Sequence, residues 1–306
     1  MKNFLALMIT IFSLEAYAKL VISTYNIRNF DYDERSRVRT NKNHLYKTIK
    51  DLNADFIGVQ EINKTKVFAD YIKEKFSGKY ETVLSNCGGA HDQRLGFVYD
   101  STKFNLIKFE EDLRVSNPHS PQQGYCHDGS RPLAIGTFKM IDTGKTFVAI
   151  SVHLKSGGRD KSIKKRFKQL QIISEVLEEQ RRKGIQNFIV MGDFNSTEYI
   201  FQGDIQKRFK KVVKQMGLVD ITESISCTSY WWGGRSDGKE YPSQLDHILV
   251  SGGFYSNVKG SNAPAKITTK VHGHCAKLKC AITSAHDMGI SYDEVSDHCP
   301  IASELR

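Results

Sequence analysis

The sequence predicts an α/β fold of layered β-sheets with helices on their outer faces. Two patterns carry this. A helix-then-strand unit occurs twice, and seven further stretches read as strands while few others hold a helical period. Size adds a third argument, since 306 residues with 40% apolar side chains can bury a large core. No Pro/Gly/Ser-rich linker, low-complexity tract or repeat divides the chain, so one domain is expected over 19–306.

In chain order, residues 1–18 read as an export signal. Lys2 gives a positive start, 4–14 an apolar run, and Ala16-Tyr17-Ala18 a cleavage site, so the exported chain is expected to begin at Lys19 and to be secreted or periplasmic. Leu45, Ile49 and Leu52 then share one helical face, and 54–61 is a short buried-strand run. The second unit sets Ile163, Phe167, Leu170 and Leu177 on one face of a longer helix ending before Gly184, followed by a strand over 187–193. The other expected strands are 80–85, 94–99, 131–141, 145–154, 245–251, 265–271 and 299–305. Ile205, Phe209, Val212 and Met216 form the apolar stripe of an amphipathic helix whose outer face carries Lys207, Lys210, Lys211 and Lys214.

Composition excludes whole classes. With 25% charged residues and a mean hydropathy of −0.42, neither a disordered chain nor a multi-span membrane protein fits. The formal charge of +10 favours a polyanionic partner. Six cysteines in an exported chain allow three disulfides and 15 pairings. Cys87–Cys126 is expected to tie a strand end to the loop before Arg131, Cys275–Cys280 to close a tight local loop, and Cys227 and Cys299 to pair by remainder.

Polar residues cluster where buried strands end, which is where open sheets present ligand sites. The segments are Thr24-Tyr-Asn26-Ile-Arg28, Val59-Gln60-Glu61, Ser151-Val-His153, Met191-Gly-Asp193-Phe-Asn195 and Leu245-Asp246-His247, with Ser296-Asp297-His298 just before the last strand. They supply carboxylates, amides and imidazoles but no thiolate nucleophile. Hard oxygen ligands of this kind fit Mg²⁺ or Ca²⁺ better than Zn²⁺.

Asn26-Ile-Arg-Asn-Phe30, Gln60-Glu61, Ser130-Arg131-Pro132, His153, Gly192-Asp193-Phe194-Asn195, Leu245-Asp246-His247 and Ser296-Asp297-His298 follow the order of the endonuclease/exonuclease/phosphatase superfamily. The Asn-Ile-Arg-x-Phe opening resembles its secreted deoxyribonuclease I branch. The resemblance implies a four-layered α/β sandwich of two packed mixed sheets flanked by helices, and metal-dependent phosphodiester hydrolysis with Mg²⁺, or Ca²⁺ or Mn²⁺. It implies that Glu61 holds the metal beside Asn26, with Asp297 completing the metal or phosphate shell. Asp193 and Asn195 would align phosphate and water, His153 and His298 would flank the scissile phosphate, Asp246 would orient His298, and Arg131 would bind phosphate. Charge neutralisation by metal, Arg and imidazolium, with a carboxylate-held histidine as base, is the chemistry a phosphodiester requires. Two departures stand out. His91-Asp92-Gln93 replaces the tyrosine and glutamate of that branch, so Gln93 is the expected neutral partner of His153, and Asn63 replaces a DNA-contacting arginine.

Other motifs carry less. Gly234-Arg-Ser236-Asp-Gly238 matches G-x-S-x-G, but Pro242 prevents the helix that a nucleophile elbow needs, so a linking loop is expected. Of Tyr230-Trp231-Trp232, alternation sends at least one ring into the core. His272, His274, Cys275, Cys280 and His286 offer a zinc set, against which the disulfide reading is preferred in an exported chain. Lys161, Lys164, Lys165, Arg166 and Lys168 follow His153 closely and are the expected polyanion contacts. The expected function is a secreted DNA endonuclease, acting on DNA rather than RNA, monomeric, with no stable membrane association once the leader is removed. The alternative is a phosphodiesterase or phosphatase for lipid or small phosphates.

Overall fold

The computed structural model describes residues 19–126, 129–197, 203–254 and 266–306; the expected leader lies outside them. The strands are β1 (Leu20–Phe30), β2 (Tyr32–Asp33), β3 (Val38–Arg39), β4 (Phe56–Ile62), β5 (Tyr80–Leu84), β6 (Arg94–Asp100), β7 (Phe104–Asp112) and β8 (Leu133–Met140). They continue with β9 (Thr146–His153), β10 (Phe188–Thr197), β11 (Leu218–Asp220), β12 (Ser229–Trp231), β13 (Lys239–Ser251), β14 (Ile267–Val271), β15 (Thr283–Ser284) and β16 (Ile301–Leu305). The longer helices are α1 (Lys42–Leu52), α2 (Thr65–Lys75), α3 (Asp160–Arg182) and α4 (Gly203–Gln215).

One sheet runs β14-β16-β1-β4-β6-β5; the other runs β11-β13-β10-β9-β8-β7, with β12 and β15 attached to β13. Alternation along each strand sorts the side chains into layers. Phe56, Phe97, Phe138, Phe147, Ile189, Met191 and Ile248 fill the space between the sheets. Val21, Tyr25, Ile57, Val59 and Val98 point the other way, against Leu45, Ile49, Phe68 and Ile72 of α1 and α2. Val148, Ile150, Phe188, Val190 and Leu249 likewise meet Phe167, Leu170, Ile173 and Phe209 of α3 and α4. The result is the expected four-layered sandwich, helices outside two mixed sheets. α1 starts where the Asn41 side chain accepts from His44 N at 3.0 Å and ends at the left-handed Asn53.

β1 and β4 run parallel, as do β9 and β10, so four strand ends point the same way. Near those ends the inter-sheet filling changes from apolar to polar. Gln60 donates to the Ser151 hydroxyl at 3.1 Å and bonds Thr24 at 3.2–3.3 Å, all three fully buried. This satisfied polar layer separates the phenylalanine core from what lies beyond it.

A small apolar cluster of Cys227, Tyr230, Cys275, Met288 and Cys299 lies beside β12. Its disulfides are Cys227–Cys280 and Cys275–Cys299, which corrects the expected Cys275–Cys280 and Cys227–Cys299; Cys87–Cys126 is as expected. Cys275 sits inside the short helix Gly273–Leu278 with its side chain buried toward the entry of β16. Left-handed backbone at Lys279 and Cys280 then turns the chain to Cys227. His274, Cys275 and Cys299 do cluster, but both sulfurs are used in the disulfide, which leaves no thiolates for the zinc reading.

Candidate active site

Beyond the polar layer, inward-facing positions on neighbouring strands come together. Asp193 is the register partner of His153 on β9 and of Asp246 on β13, so the three side chains stand abreast on one sheet. Gly192 makes this approach possible: at φ 136° its hydrogen faces the Val152 carbonyl, where a Cβ would lie at 2.1 Å. Asn26 faces them from the other sheet. Simple alternation would send Glu61 away from the site. A register shift between Val59 and Ile62, with Glu61 at φ 62°, turns its carboxylate inward. Similar shifts place Arg28 and Asn29 after Asn26, and Asn195 after Asp193, in left-handed backbone.

Asn26 Nδ2 donates to Glu61 Oε1 at 3.1 Å and reaches Asp193 Oδ2 at 3.4 Å. Asn29 N donates to Glu61 Oε2 at 3.2 Å. His153 has Nε2 3.2 Å from Asp193 Oδ2 and Nδ1 3.7 Å from Glu61 Oε1. Arg131 lies against the same ring, with Nη2 2.8 Å from Nδ1. His298 has Nδ1 2.8 Å from Asp246 Oδ2, and its Nε2 faces Asp193 Oδ2 at 3.8 Å. Asn195 N donates to Asp193 Oδ1 at 2.9 Å, while its amide donates to Leu154 O at 3.3 Å. Asp297 is half-buried next to His298, and its carbonyl accepts from Tyr230 N at 3.0 Å. Both imidazoles thus bracket the Asp193 carboxylate.

The electrostatics split the two histidines. Burial, then Arg131, hold His153 well below the ordinary imidazole value, so it is neutral. Burial pulls His298 the same way, but Asp246 and Asp193 outweigh it and hold His298 well above that value. Burial also raises Glu61, with Asp297 adding to the effect and Arg131 opposing it. Asp193 is pushed up to about 7, by burial first and then by Asp246 and Glu61 against the pull of His298. Carboxylates crowded this way demand a cation. Glu61, Asn26 and Asp297 offer carboxylate and amide oxygens, the donor set of a hard divalent ion.

Two readings of the sequence, those of Gln93 and Arg166, are amended, and the linking loop expected at Gly234–Gly238 is found. Gln93 does not hold His153; it donates to Asn29 Oδ1 at 2.7 Å and so supports the loop that bonds Glu61. His247 points to the outer face, where its Nδ1 pairs with Asp220 at 2.8 Å. Arg166 is not a polyanion contact. It is fully buried and donates to the carbonyls of Lys155 and Gly157 at 2.8 and 2.7 Å, holding the turn into α3. The 232–238 segment is the loop between β12 and β13, so the G-x-S-x-G match has no elbow.

Thr228 was not singled out in the sequence. Its hydroxyl donates to Asp246 Oδ2 at 2.8 Å and accepts from Leu245 N and Asp246 N, both at 3.0 Å. Nothing at a separation of 18 residues signals this; β12 and β13 pairing produces it. A cationic arc flanks the site on the β8–β9 side. Burial, then Lys155, Arg131 and Lys161, lower Lys165, and burial, then Arg35, Arg131 and Lys155, lower His91.

The chain belongs to the endonuclease/exonuclease/phosphatase family, whose model matches residues 23–298. Members are hydrolases of phosphoester bonds that generally use divalent metal ions. No curated protein matches the sequence. Among solved structures, a Bacteroides thetaiotaomicron mannosyl-6-phosphatase is similar at a TM-score of 0.61 and 20% identity, over 94% of this chain and 99% of that one. TDP2 from C. elegans gives 0.61 and 16%, over 94% and 75%. D. rerio TDP2 complexed with single strand DNA product gives 0.59 and 16%, over 94% and 99%. At these identities the likeness establishes the fold.

Proposed function

We propose that this protein is an exported, metal-dependent DNA endonuclease of the deoxyribonuclease I-like branch. The observation that carries the reading is the bracket of Asp193 by one neutral and one carboxylate-held histidine beside the Glu61–Asn26 pair. Glu61 and Asn26, with Asp297, would hold the divalent ion, Mg²⁺ for preference, which supplies positive charge for the phosphate oxygens. Arg131 and neutral His153 contact the phosphate, and Asp193 with Asn195 aligns it with the attacking water. His298 takes the proton from that water in its neutral form, which its raised value confines to the alkaline side of the ordinary imidazole range, and Asp246 stabilises the imidazolium that results. The arc of Arg35, Arg131, Lys155, Lys161 and Lys165 favours a substrate with successive phosphates over a single small phosphate.

Purified chain beginning at Lys19, given supercoiled plasmid, linear duplex, single-stranded DNA, RNA, sphingomyelin and a phosphomonoester with and without chelator, tests this. Chelator-sensitive nicking of plasmid is expected. Inert DNA beside robust lipid or monoester turnover would replace the nuclease with a phosphatase or lipid phosphodiesterase.

A further inference from the structure

Trp231 and Trp232 are the only tryptophans in the chain, and both lie where β12 leaves the candidate site. Ser229 bridges His298, Tyr230 N donates to Asp297 O, and Trp231 follows one residue later. Tyr230 is fully buried in the disulfide-linked cluster, while of the next two rings Trp231 is half-buried and Trp232, just past the end of β12, is exposed. They stand edge-to-face with centroids 6.4 Å apart, and Trp232 is 55% exposed. Arg235 lies over the Tyr241 ring at 4.7 Å in the same loop. Tyr241 is the register partner of Trp231.

Strand order fixes where this surface sits. Across the second sheet, Asp193 on β10 is central, His153 and the cationic arc lie toward β9 and β8, and Asp246 with β12 lies toward β13. On the aromatic side Arg235 and Lys239 are balanced by Asp237 and Glu240, so it lacks the excess positive charge of the opposite flank. Exposed indole faces bind what has a flat π surface and little charge, and a nucleobase has both properties. A base in a duplex offers no free face; an unpaired one does.

We infer that Trp232, with Trp231, is a stacking platform for an unpaired base next to the scissile phosphate, so the preferred substrate is single-stranded or locally unpaired DNA. This rests on the nuclease reading and assigns its substrate class. The phosphates then follow the cationic flank while the base turns to the aromatic one.

The tryptophan pair reports on itself, because all indole fluorescence arises there. The probes are a fluorescein-labelled phosphorothioate oligo(dT) and the same backbone without bases, titrated into wild type, Trp232→Phe and Trp232→Ala. The expected result is strong quenching of wild type by oligo(dT) and none by the abasic chain. Affinity for oligo(dT) should fall roughly 5- to 100-fold in Trp232→Ala, with partial recovery in Trp232→Phe. The initial-rate preference for single strand over duplex should fall with it. Binding seen by anisotropy without quenching, or equal quenching by both chains, would overturn the platform and leave the nuclease reading standing. No binding of either chain would also overturn the platform, and the nuclease reading falls with it only if plasmid DNA is inert as well.

Discussion

Replacing Asp246 by asparagine isolates one charge with little change of shape. Asp246 Oδ2 receives His298 Nδ1 at 2.8 Å and the Thr228 hydroxyl at 2.8 Å, both buried. An asparagine oxygen can still accept both, so the geometry should survive. What disappears is the attraction between the carboxylate and the imidazolium formed when His298 takes a proton. For charge centres about 4 Å apart at an effective dielectric constant near 20, that attraction is about 4 kcal/mol. At about 1.4 kcal/mol per tenfold, the loss predicts a rate lower by about 10³, inside the ~10²- to 10⁴-fold range of general acid–base catalysis. The pH dependence has a definite sign. Asp246 helps hold His298 above its ordinary value, so its neutralisation should move the acidic limb of kcat/KM to lower pH while the plateau falls. Plasmid nicking across pH, with thermal unfolding as the control, measures both. A loss under tenfold, or a limb that stays in place in a folded variant, would refute His298 as the base. Thr228→Val should act through the same carboxylate but more weakly, by roughly tenfold, since it removes one hydrogen bond and no charge.

Three further outcomes are expected. Asp193 is raised to about 7, so the metal-free protein should lose stability as pH rises from the ordinary carboxylate range through that value, and Asp193→Asn should flatten this loss in thermal unfolding with chelator. Removing Cys275–Cys299, a 24-residue separation, by Ser at both positions should cost about 3 kcal/mol by loop closure and slow turnover as well, because Cys299 adjoins His298; unchanged denaturant midpoints would contradict it. Arg166→Leu should destabilise the fold by about 2 to 4 kcal/mol, because it removes both charge-assisted hydrogen bonds that the buried guanidinium makes to the carbonyls of Lys155 and Gly157, whereas Lys165→Ala should leave stability alone and reduce the slope of log affinity against log salt by about 1.

What the sequence revealed divides along physical lines. α1, α3, β4 and β10 have strong local periods, and the structure contains them within a few residues of the expected bounds. α2 went unread although Phe68, Tyr71 and Ile72 share its buried face, because Val67 and Ala69, apolar but off that face, blur the period. β7 lies at a sheet edge with only Phe104 of its nine residues buried, so its alternation is weak. Among the cysteines, closeness in sequence misled: Cys275 and Cys280 are neighbours in the chain, yet a helix and a left-handed turn aim them at different strands.

The candidate site shows the same division more sharply. Asn26, Glu61, His153, Asp193, Asp246 and His298 stood out as polar residues closing apolar runs, and the structure brings them together. Their supporting contacts did not stand out, because Gln93 reaches Asn29 and Thr228 reaches Asp246 only through strand pairing and loop closure. Arg166 gives the converse lesson. In the sequence it is one of five basic residues in a run, yet helix geometry turns that one inward to hold Lys155 and Gly157 while Lys164 and Lys168 keep an outer face. Charge type alone therefore could not separate a structural cation from a substrate-facing one; the 3.6-residue period of α3 does, by placing Arg166 beside Phe167 and Leu170 on the buried side.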